Sequence, residues 1–500
     1  MQPLRIVTRR RLMQGGAVLA SAGALGVART AAAPAVHSPE HLAALGSSLK
    51  GRLVLPGEMG YAMAAAPNNA RYADTLPIAV AKCANESDVQ LCMRWARDQR
   101  QDFAIRSGGH NYAGFSTTTG LLIDVKAMNR LTVDDVHGTV RLQAGVNNQD
   151  MANALRGTPF SVPTGRCPTV GASGLVLGGG WGFAATHAGL TCDSLVQTDI
   201  VLADASLVTA NAAGATSDLF WAMRGGGGGN FGVNTSFTFK LHDVSRPVTI
   251  FNIVWTGEKQ AELLLTLQKL QTDFARQIST RTKAYPDAPG ALPRREQIRV
   301  ATLGQFFGPM KDAMEALAPV LALSKPIARD IREMAYWQAR DYLITDDPNG
   351  MYDLRSAYVA EAMSEQGIET MLNWMTRWPG GSLTPENIGI FFAVGGKTRD
   401  VAPADTAYVH RNANYIFQIE AAWGPIDKPD VVARQQAWLA AYFADMQPFV
   451  LPQSYVNFPN RDQPNWARAY YGSNLERLSI VKRKYDPDNL FRFAQSIPPA

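Results

Sequence analysis

The chain has 500 residues, 46% hydrophobic and 18% charged, with 43 glycines and 29 prolines. That composition excludes a disordered, collagenous or coiled-coil protein, and the length allows two or three domains with a large core. The formal charge of +5 resides in residues 1–33, where Arg5, Arg9, Arg10, Arg11 and Arg29 meet no acid; beyond them basic and acidic residues balance, which argues against a nucleic-acid partner.

The chain opens on Thr8-Arg9-Arg10-Arg11-Leu12-Met13-Gln14, then a mild Gly/Ala-rich stretch from Gly15 to Ala28 and small residues at Ala31-Ala32-Ala33. This is the pattern of a twin-arginine signal peptide, with an uncleaved anchor as the alternative. It predicts a periplasmic or secreted protein. No later stretch reaches ~18 uninterrupted apolar residues, so no membrane association beyond export is expected.

Pro77–Cys83 reads as a strand, and Ser87-Asp88-Val89-Gln90 as a capping box opening a helix with Val89, Cys92, Met93 and Ala96 on one face. Phe103–Arg106 completes a βαβ unit. Further strands are expected at Leu121–Val125, Val140–Ala144 and Ile200–Ala203, giving a mixed domain to about residue 245. From 246 a second α+β domain begins with a strand at Ile250–Trp255 and a helix carrying Leu263, Leu267, Leu270 and Phe274. It closes on a helix with the stripe Trp438, Leu439, Tyr442, Phe443 and Met446. Short helices and a turn fill the last fifty residues. Four cysteines are too few for a disulfide scaffold; Cys83 and Cys92 are either a pair or buried thiols. With no C-x-x-C, H-E-x-x-H or close histidine pair, no metal site is expected, and no G-x-S-x-G points to a hydrolase.

Three glycine-rich stretches carry the chemistry. In Arg106-Ser107-Gly108-Gly109-His110-Asn111-Tyr112-Ala113-Gly114 the paired glycines allow backbone N–H groups to approach a phosphate, with His110 held beside it. A solvated surface turn is the plain alternative. In Gly165-Arg166-Cys167 through Gly182 the glycines allow backbone to lie against a planar ligand, with Cys167 in contact or simply a buried structural thiol. The third, Gly225 to Gly232, satisfies G-x-G-x-x-G formally. Its context of helix before and strand after is wrong for a dinucleotide fold and fits a loop close to a cofactor.

These segments, with Asp218–Gly232, Thr406-Ala407-Tyr408-Val409-His410-Arg411 and the ending Gln495-Ser496-Ile497-Pro498-Pro499, resemble the berberine bridge enzyme-like family of the vanillyl-alcohol oxidase/p-cresol methylhydroxylase superfamily. The resemblance implies an α+β, two-domain flavoprotein: a discontinuous FAD-binding domain over 40–245, a substrate domain over 246–450, and a segment 451–500 returning to the first. It implies FAD bound covalently by His110 at the 8α carbon and Cys167 at C6. It places Arg106, Ser107, Gly108, Gly109, Asn111, Gly114, Gly171, Ser173, Gly174, Gly179, Gly180 and Asn489 around that cofactor. Tyr112, Trp181, Tyr408, Tyr455 and Phe458 become substrate-wall residues.

The chain also departs from the family. The usual Tyr-x-Asn-Tyr is Tyr455-Val456-Asn457-Phe458, so the tyrosine that serves as base is phenylalanine; its Lys or Glu tuner falls at Ile416, and a flavin-contacting histidine at Leu175. If Tyr415–Ala421 is a strand, Ile416, Gln418 and Glu420 share a face. Glu420 then replaces the base with Gln418 orienting substrate, or is a structural ion-pair partner. Val170 sits where small side chains accompany fast reaction with O2. The reading is an exported FAD-linked oxidase that takes hydride from an alcohol or hemiacetal carbon of a small carbohydrate or aromatic compound and passes electrons to O2. Oxidative cyclisation or dehydrogenation of a natural product, and a catalytically decayed flavin-binding protein, are the alternatives.

Overall fold

A computed structural model describes residues 39–257, 259–344 and 350–500; the twin-arginine segment lies outside them. The described residues form one compact unit. Its first sheet has the order β1 (Arg52–Val54), β2 (Ala79–Lys82), β4 (Leu121–Asp124), β3 (Phe103–Arg106). Both β2 and β3 run parallel to β4, which inserts between them and completes the expected βαβ unit. The connecting helix, Glu86–Asp98, buries Val89, Cys92, Met93 and Ala96 completely.

The helix start differs from the predicted capping box. Asn85, not Ser87, is the cap, and its side chain accepts from the Asp88 N–H. Asp88 is drawn away from local capping because its buried carboxylate accepts from Ala84, Lys50 and Gly51 N–H groups. The last two are tertiary partners, which a sequence window does not show. The thiols of Cys83 and Cys92 lie 3.9 Å apart, buried and unbridged.

A second sheet joins β5 (Leu131–Asp134), β6 (Thr139–Gln143), β10 (Val233–Lys240), β8 (Leu195–Val201) and β9 (Leu207–Asn211), all antiparallel. The strand expected at Ile200–Ala203 thus starts five residues earlier. The short pair β7 (Phe160–Ser161) and β11 (His242–Asp243) ties the connection back.

The third sheet is antiparallel and seven-stranded. Its order is β15 (Ala328–Met334), β12 (Val248–Trp255), β14 (Ile298–Phe306), β13 (Ile278–Pro286), β17 (Ile390–Ala393), β18 (Tyr415–Trp423), β16 (Met351–Val359). Alternation divides it cleanly. Phe251, Ile253, Phe391, Phe417 and Ile419 pack on helices Gln260–Asp273, Glu365–Met375 and Pro429–Met446 through Leu263, Leu267, Met371, Leu439 and Tyr442. The opposite face carries Ile390, Phe392 and Ile416 into the core of the first two sheets. Gln418 and Glu420 follow Ile416 on that face, as predicted.

His410 lies in that core, stacked 4.2 Å from the Tyr358 ring, with its ring nitrogens at Gln453 Oε1 and the Tyr470 carbonyl. Burial lowers its pKa to about 4. An unfolded histidine protonates near 6.5, so this site's stability is intact above that pH and is lost as pH falls toward 4. From pH 7 to pH 5 the loss is about 2 kcal/mol. Urea unfolding at the two pH values should show that acid sensitivity in the wild type and a smaller one in His410→Gln. Equal pH slopes refute it.

Candidate active site

Two loops from different sheets are built to interlock. Leaving β3, the chain turns at Gly109, whose φ of +82° favours glycine. A Cβ on Gly108 would lie 2.3 Å from the Gly171 nitrogen, and one on Gly171 would lie 2.5 Å from the Gly108 nitrogen. Only hydrogen fits at both. Ser107 and Ser173 Oγ donate to the same carbonyl, Ala144, at 2.7 and 2.5 Å, binding both loops to the end of β6. Asn111 Oδ1 accepts from the Ala113 and Phe115 N–H groups and shapes the loop after His110. Gly114 sits face-on to the Tyr72 ring, where a Cβ would meet ring carbon at 2.6 Å.

This interlock brings His110 and Cys167 to one cavity of about 630 Å³. His110 Nε2 is 2.9 Å from Thr169 Oγ1, so the second loop steadies the imidazole of the first. Ser107, Gly108, Gly109, Asn111, Gly114, Gly171, Ser173 and Gly174 also border the cavity, as does the third glycine stretch through Gly227, Gly228 and Gly229. A Cβ on Gly174 would have no protein neighbour within 4 Å, so this backbone faces open space. Asn148, missed in the sequence because nothing about it looks special, lines the same wall. Its buried Oδ1 has no hydrogen-bond partner among the described residues, while its Nδ2 holds the Cys167 carbonyl at 2.9 Å. Bare glycine backbone, an orphaned acceptor and a histidine–cysteine pair on one cavity of this volume fit a large dinucleotide with a planar ring such as FAD.

The aromatic wall is partly as predicted. Phe458 lies 5.5 Å from Tyr112 and 5.0 Å from Tyr455, centroid to centroid, and all three border the cavity with Trp181. Tyr455 does more than pack. Its oxygen accepts from the Gly180 and Trp181 N–H groups at 3.0 and 3.2 Å and from Asn457 Nδ2 at 3.1 Å. Burial outweighs these donors and pushes the phenol up to about 12. Tyr455 is therefore a neutral anchor for the Gly180–Trp181 turn. Arg461, also unforeseen, reaches the Ala113 carbonyl at 3.0 Å and closes the cavity against the first loop.

Several predicted positions lie elsewhere. Arg106 is fully buried and gives its guanidinium to the carbonyls of Ser116, Ala64, Ala66 and Ala65, so it fixes the loop base rather than facing the cavity. Gly179 and Gly180 are glycines because Tyr408 and Thr191 press on them, at 2.8 and 2.4 Å from the missing Cβ atoms. Tyr408 is correspondingly no wall residue. It is buried behind the loops, its hydroxyl 2.8 Å from that of Tyr358. Asn489, at φ +50°, closes the turn after Asp486 and does not reach the cavity. Glu420 and Gln418 do not border it either. Glu420 accepts from Asn387 Nδ2 at 3.0 Å and Gln418 Nε2 at 3.3 Å, on the sheet face beyond Phe392.

Gly108→Ala tests the interlock. The added methyl group should cost about 1–3 kcal/mol, read as a lower Tm, and should reduce flavin colour per mole of protein while far-UV dichroism stays native. Full colour at wild-type Tm refutes the claim that these loops must touch.

The chain is similar to known proteins along most of its length. Residues 77–211 match the family model described as FAD binding domain, and residues 454–498 match that described as berberine and berberine like. The uncharacterized FAD-linked oxidoreductase YgaK of Bacillus subtilis (strain 168) is 32% identical over 91% of this chain and 98% of its own. Monolignol oxidoreductase AtBBE-like 13 of Arabidopsis thaliana is 26% identical over 83% and 82%. The structure of wild-type BBE-like 1 from Physcomitrella patens superposes with a TM-score of 0.80 at 26% identity, over 92% of this chain and 99% of that one. With its two-domain α+β architecture and a cavity suited to FAD, the chain belongs to the berberine bridge enzyme-like family and is an FAD-linked oxidoreductase.

Proposed function

We propose that the protein is an exported oxidase that holds FAD through two covalent bonds, from His110 and Cys167. Its substrate is an alcohol or hemiacetal carbon of a small carbohydrate or aromatic compound, and its electron acceptor is O2. In this reading 40–245 and 451–500 form the flavin half and 246–450 the substrate half. The observation that carries it is that a histidine and a cysteine from separate loops border one cavity whose other walls are glycine backbone and aromatic rings. Bound FAD supplies a two-electron acceptor for hydride. Two attachments keep such a group from being lost outside the cell. The twin-arginine leader suits a protein folded around its cofactor before export.

The chain's own residues supply the remainder. Phe458 offers no proton acceptor where the family has a tyrosine, and Ile416 offers no tuner. Tyr455 keeps its proton at neutral pH because burial places it near 12. The carboxylate left for the substrate's hydroxyl proton is Glu420, held by Asn387 and Gln418. Since it stands behind the cavity wall, a water relays the proton to it, with Gln418 Nε2 fixing the carboxylate. Val170 borders the cavity and leaves room for O2 there.

Acid-precipitated protein should stay yellow, and its intact mass should carry one FAD. His110→Ala and Cys167→Ala should each retain colour through the other bond, and the double variant should release it. Colourless precipitate beside free FAD from the wild type overturns the attachment. Glu420→Gln should slow anaerobic flavin reduction by about 10²–10⁴-fold; a near-wild-type rate removes Glu420 from the role. Aerobic turnover should release peroxide.

A further inference from the structure

The cysteine loop hangs on the first turn of one helix, Asn148–Leu155. Asn147, which pairs with Gly171 of the loop, caps that helix in a reciprocal bond with Asp150. The Asn148 N–H donates to the Val170 carbonyl at 3.1 Å and the Gln149 N–H to the Pro168 carbonyl at 3.0 Å. The Asn148 side chain takes a third carbonyl of the loop, that of Cys167, at 2.9 Å. Arg340, in the helix Tyr336–Leu343, holds the same turn by donating to the Asn148 carbonyl at 2.9 Å and to Gln149 Oε1 at 3.3 Å. The helix start is therefore a fixed reference for the loop.

The side-chain contact differs from the two backbone ones. Asn148 is completely buried, and its Oδ1 has no partner among the described residues, a cost that a leucine of similar size would avoid. The reversed amide would set its oxygen against the Cys167 carbonyl, so the nitrogen is what the loop uses. Gly165, whose φ is not positive, leaves the room for it: a Cβ there would meet Asn148 Nδ2 at 2.8 Å. The Cys167 carbonyl also accepts from the Val170 N–H, at a longer 3.4 Å within its own turn. Packing does not account for an amide at position 148, whereas its grip on Cys167 does.

We propose that Asn148 is the positioning residue for the second flavin attachment: its amide fixes the Cys167 peptide plane, so that the thiol is presented to the cavity shared with His110. This rests on the two-bond reading above. Attachment at C6 replaces one ring hydrogen by sulfur; that hydrogen, the thiol hydrogen and two electrons pass to O2 as H2O2. Such a step tolerates little error in the place of the sulfur, since a misplacement of about 1 Å costs ~10²-fold in rate. Without the amide the loop stays docked through its Pro168 and Val170 carbonyls and through the contact of Gly108 with Gly171. The Cys167 carbonyl then turns, and the side chain turns with it. His110 does not depend on Asn148, because Thr169 Oγ1 steadies its ring.

Peptide mapping of the denatured holoenzyme reads each bond separately, as the share of the His110 peptide and of the Cys167 peptide that carries FAD. Asn148→Leu and Asn148→Ala differ in volume and have in common the loss of the donor. Both should leave the His110 peptide loaded and lower the loaded share of the Cys167 peptide at least about tenfold. Their visible spectra should coincide with that of Cys167→Ala, while far-UV dichroism and total flavin per mole stay at the wild-type level. A fully loaded Cys167 peptide in either variant overturns the proposal, since the effect would then follow volume or be absent. Loss of both attachments overturns it too, because Asn148 would then serve only the folding of the loop. Wild-type protein with FAD on the His110 peptide and none on the Cys167 peptide is a different failure: it removes the two-bond reading before any variant is made, and the proposal with it.

Discussion

The active site depends on the contact between two glycines, Gly108 and Gly171. Each occupies the space a Cβ would need on the other, with backbone nitrogens 2.3 and 2.5 Å from the missing carbons. A side chain at either position would drive the loops apart, and the histidine of one and the cysteine of the other would no longer border a common space. The approach is fixed from outside as well as within. Ser107 and Ser173 share the Ala144 carbonyl, so both loops are referenced to the end of one strand. Glycine loses more chain entropy on folding than other residues, so these turns hold shape only because their surroundings are rigid.

That rigidity comes from buried charge. Arg106, at the root of the first loop, finds four backbone carbonyls. Arg411 grips Asp193 at 2.7 and 2.9 Å, next to the turn that supports Gly179 and Gly180. Lys482 and Asp486 are both fully buried; the ammonium also donates to the Asn230 and Phe491 carbonyls, and the carboxylate accepts from Leu490 and Phe491. Asn230 lies within the third glycine stretch and takes the Ile497 N–H. Each loop thus has an ionic or fully hydrogen-bonded anchor behind it. Such pairs add little net stability over apolar packing, yet removing one partner costs about 3–5 kcal/mol. They therefore penalise any other arrangement of the loops.

The sequence makes the elements legible wherever one period dominates. The stripes on Glu86–Asp98 and Pro429–Met446, the strand at Phe103–Arg106, and the shared face of Ile416, Gln418 and Glu420 follow from spacing alone. What stays hidden is which way a polar group turns. Arg106 and Ser107 are neighbours in one motif, yet Arg106 points into the core and Ser107 borders the cavity. Asp88 looks like a local cap and serves distant amides instead. Tyr408 and Tyr455 are both buried aromatic candidates, and only the second reaches the cavity, because Gly179 and Gly225 leave the room that Tyr408 fills. In each case the deciding partners lie far away in sequence, where periodicity and motif spacing carry no information.

The departures from the family pattern make physical sense together. Replacing a tyrosine by Phe458 and a charged tuner by Ile416 turns the centre of the wall apolar. Phe458, Phe392 and Trp181 meet there with centroids 4.8–5.4 Å apart. An ionised phenol among these rings would be desolvated. The polar groups of this sheet face lie further along the same strands instead. Glu420 is fixed by Asn387, Asn387 takes the Arg281 guanidinium at 2.9 Å, and Lys283 follows two residues later. Glu420, Asn387 and Arg281 are therefore members of one hydrogen-bonded array on one sheet.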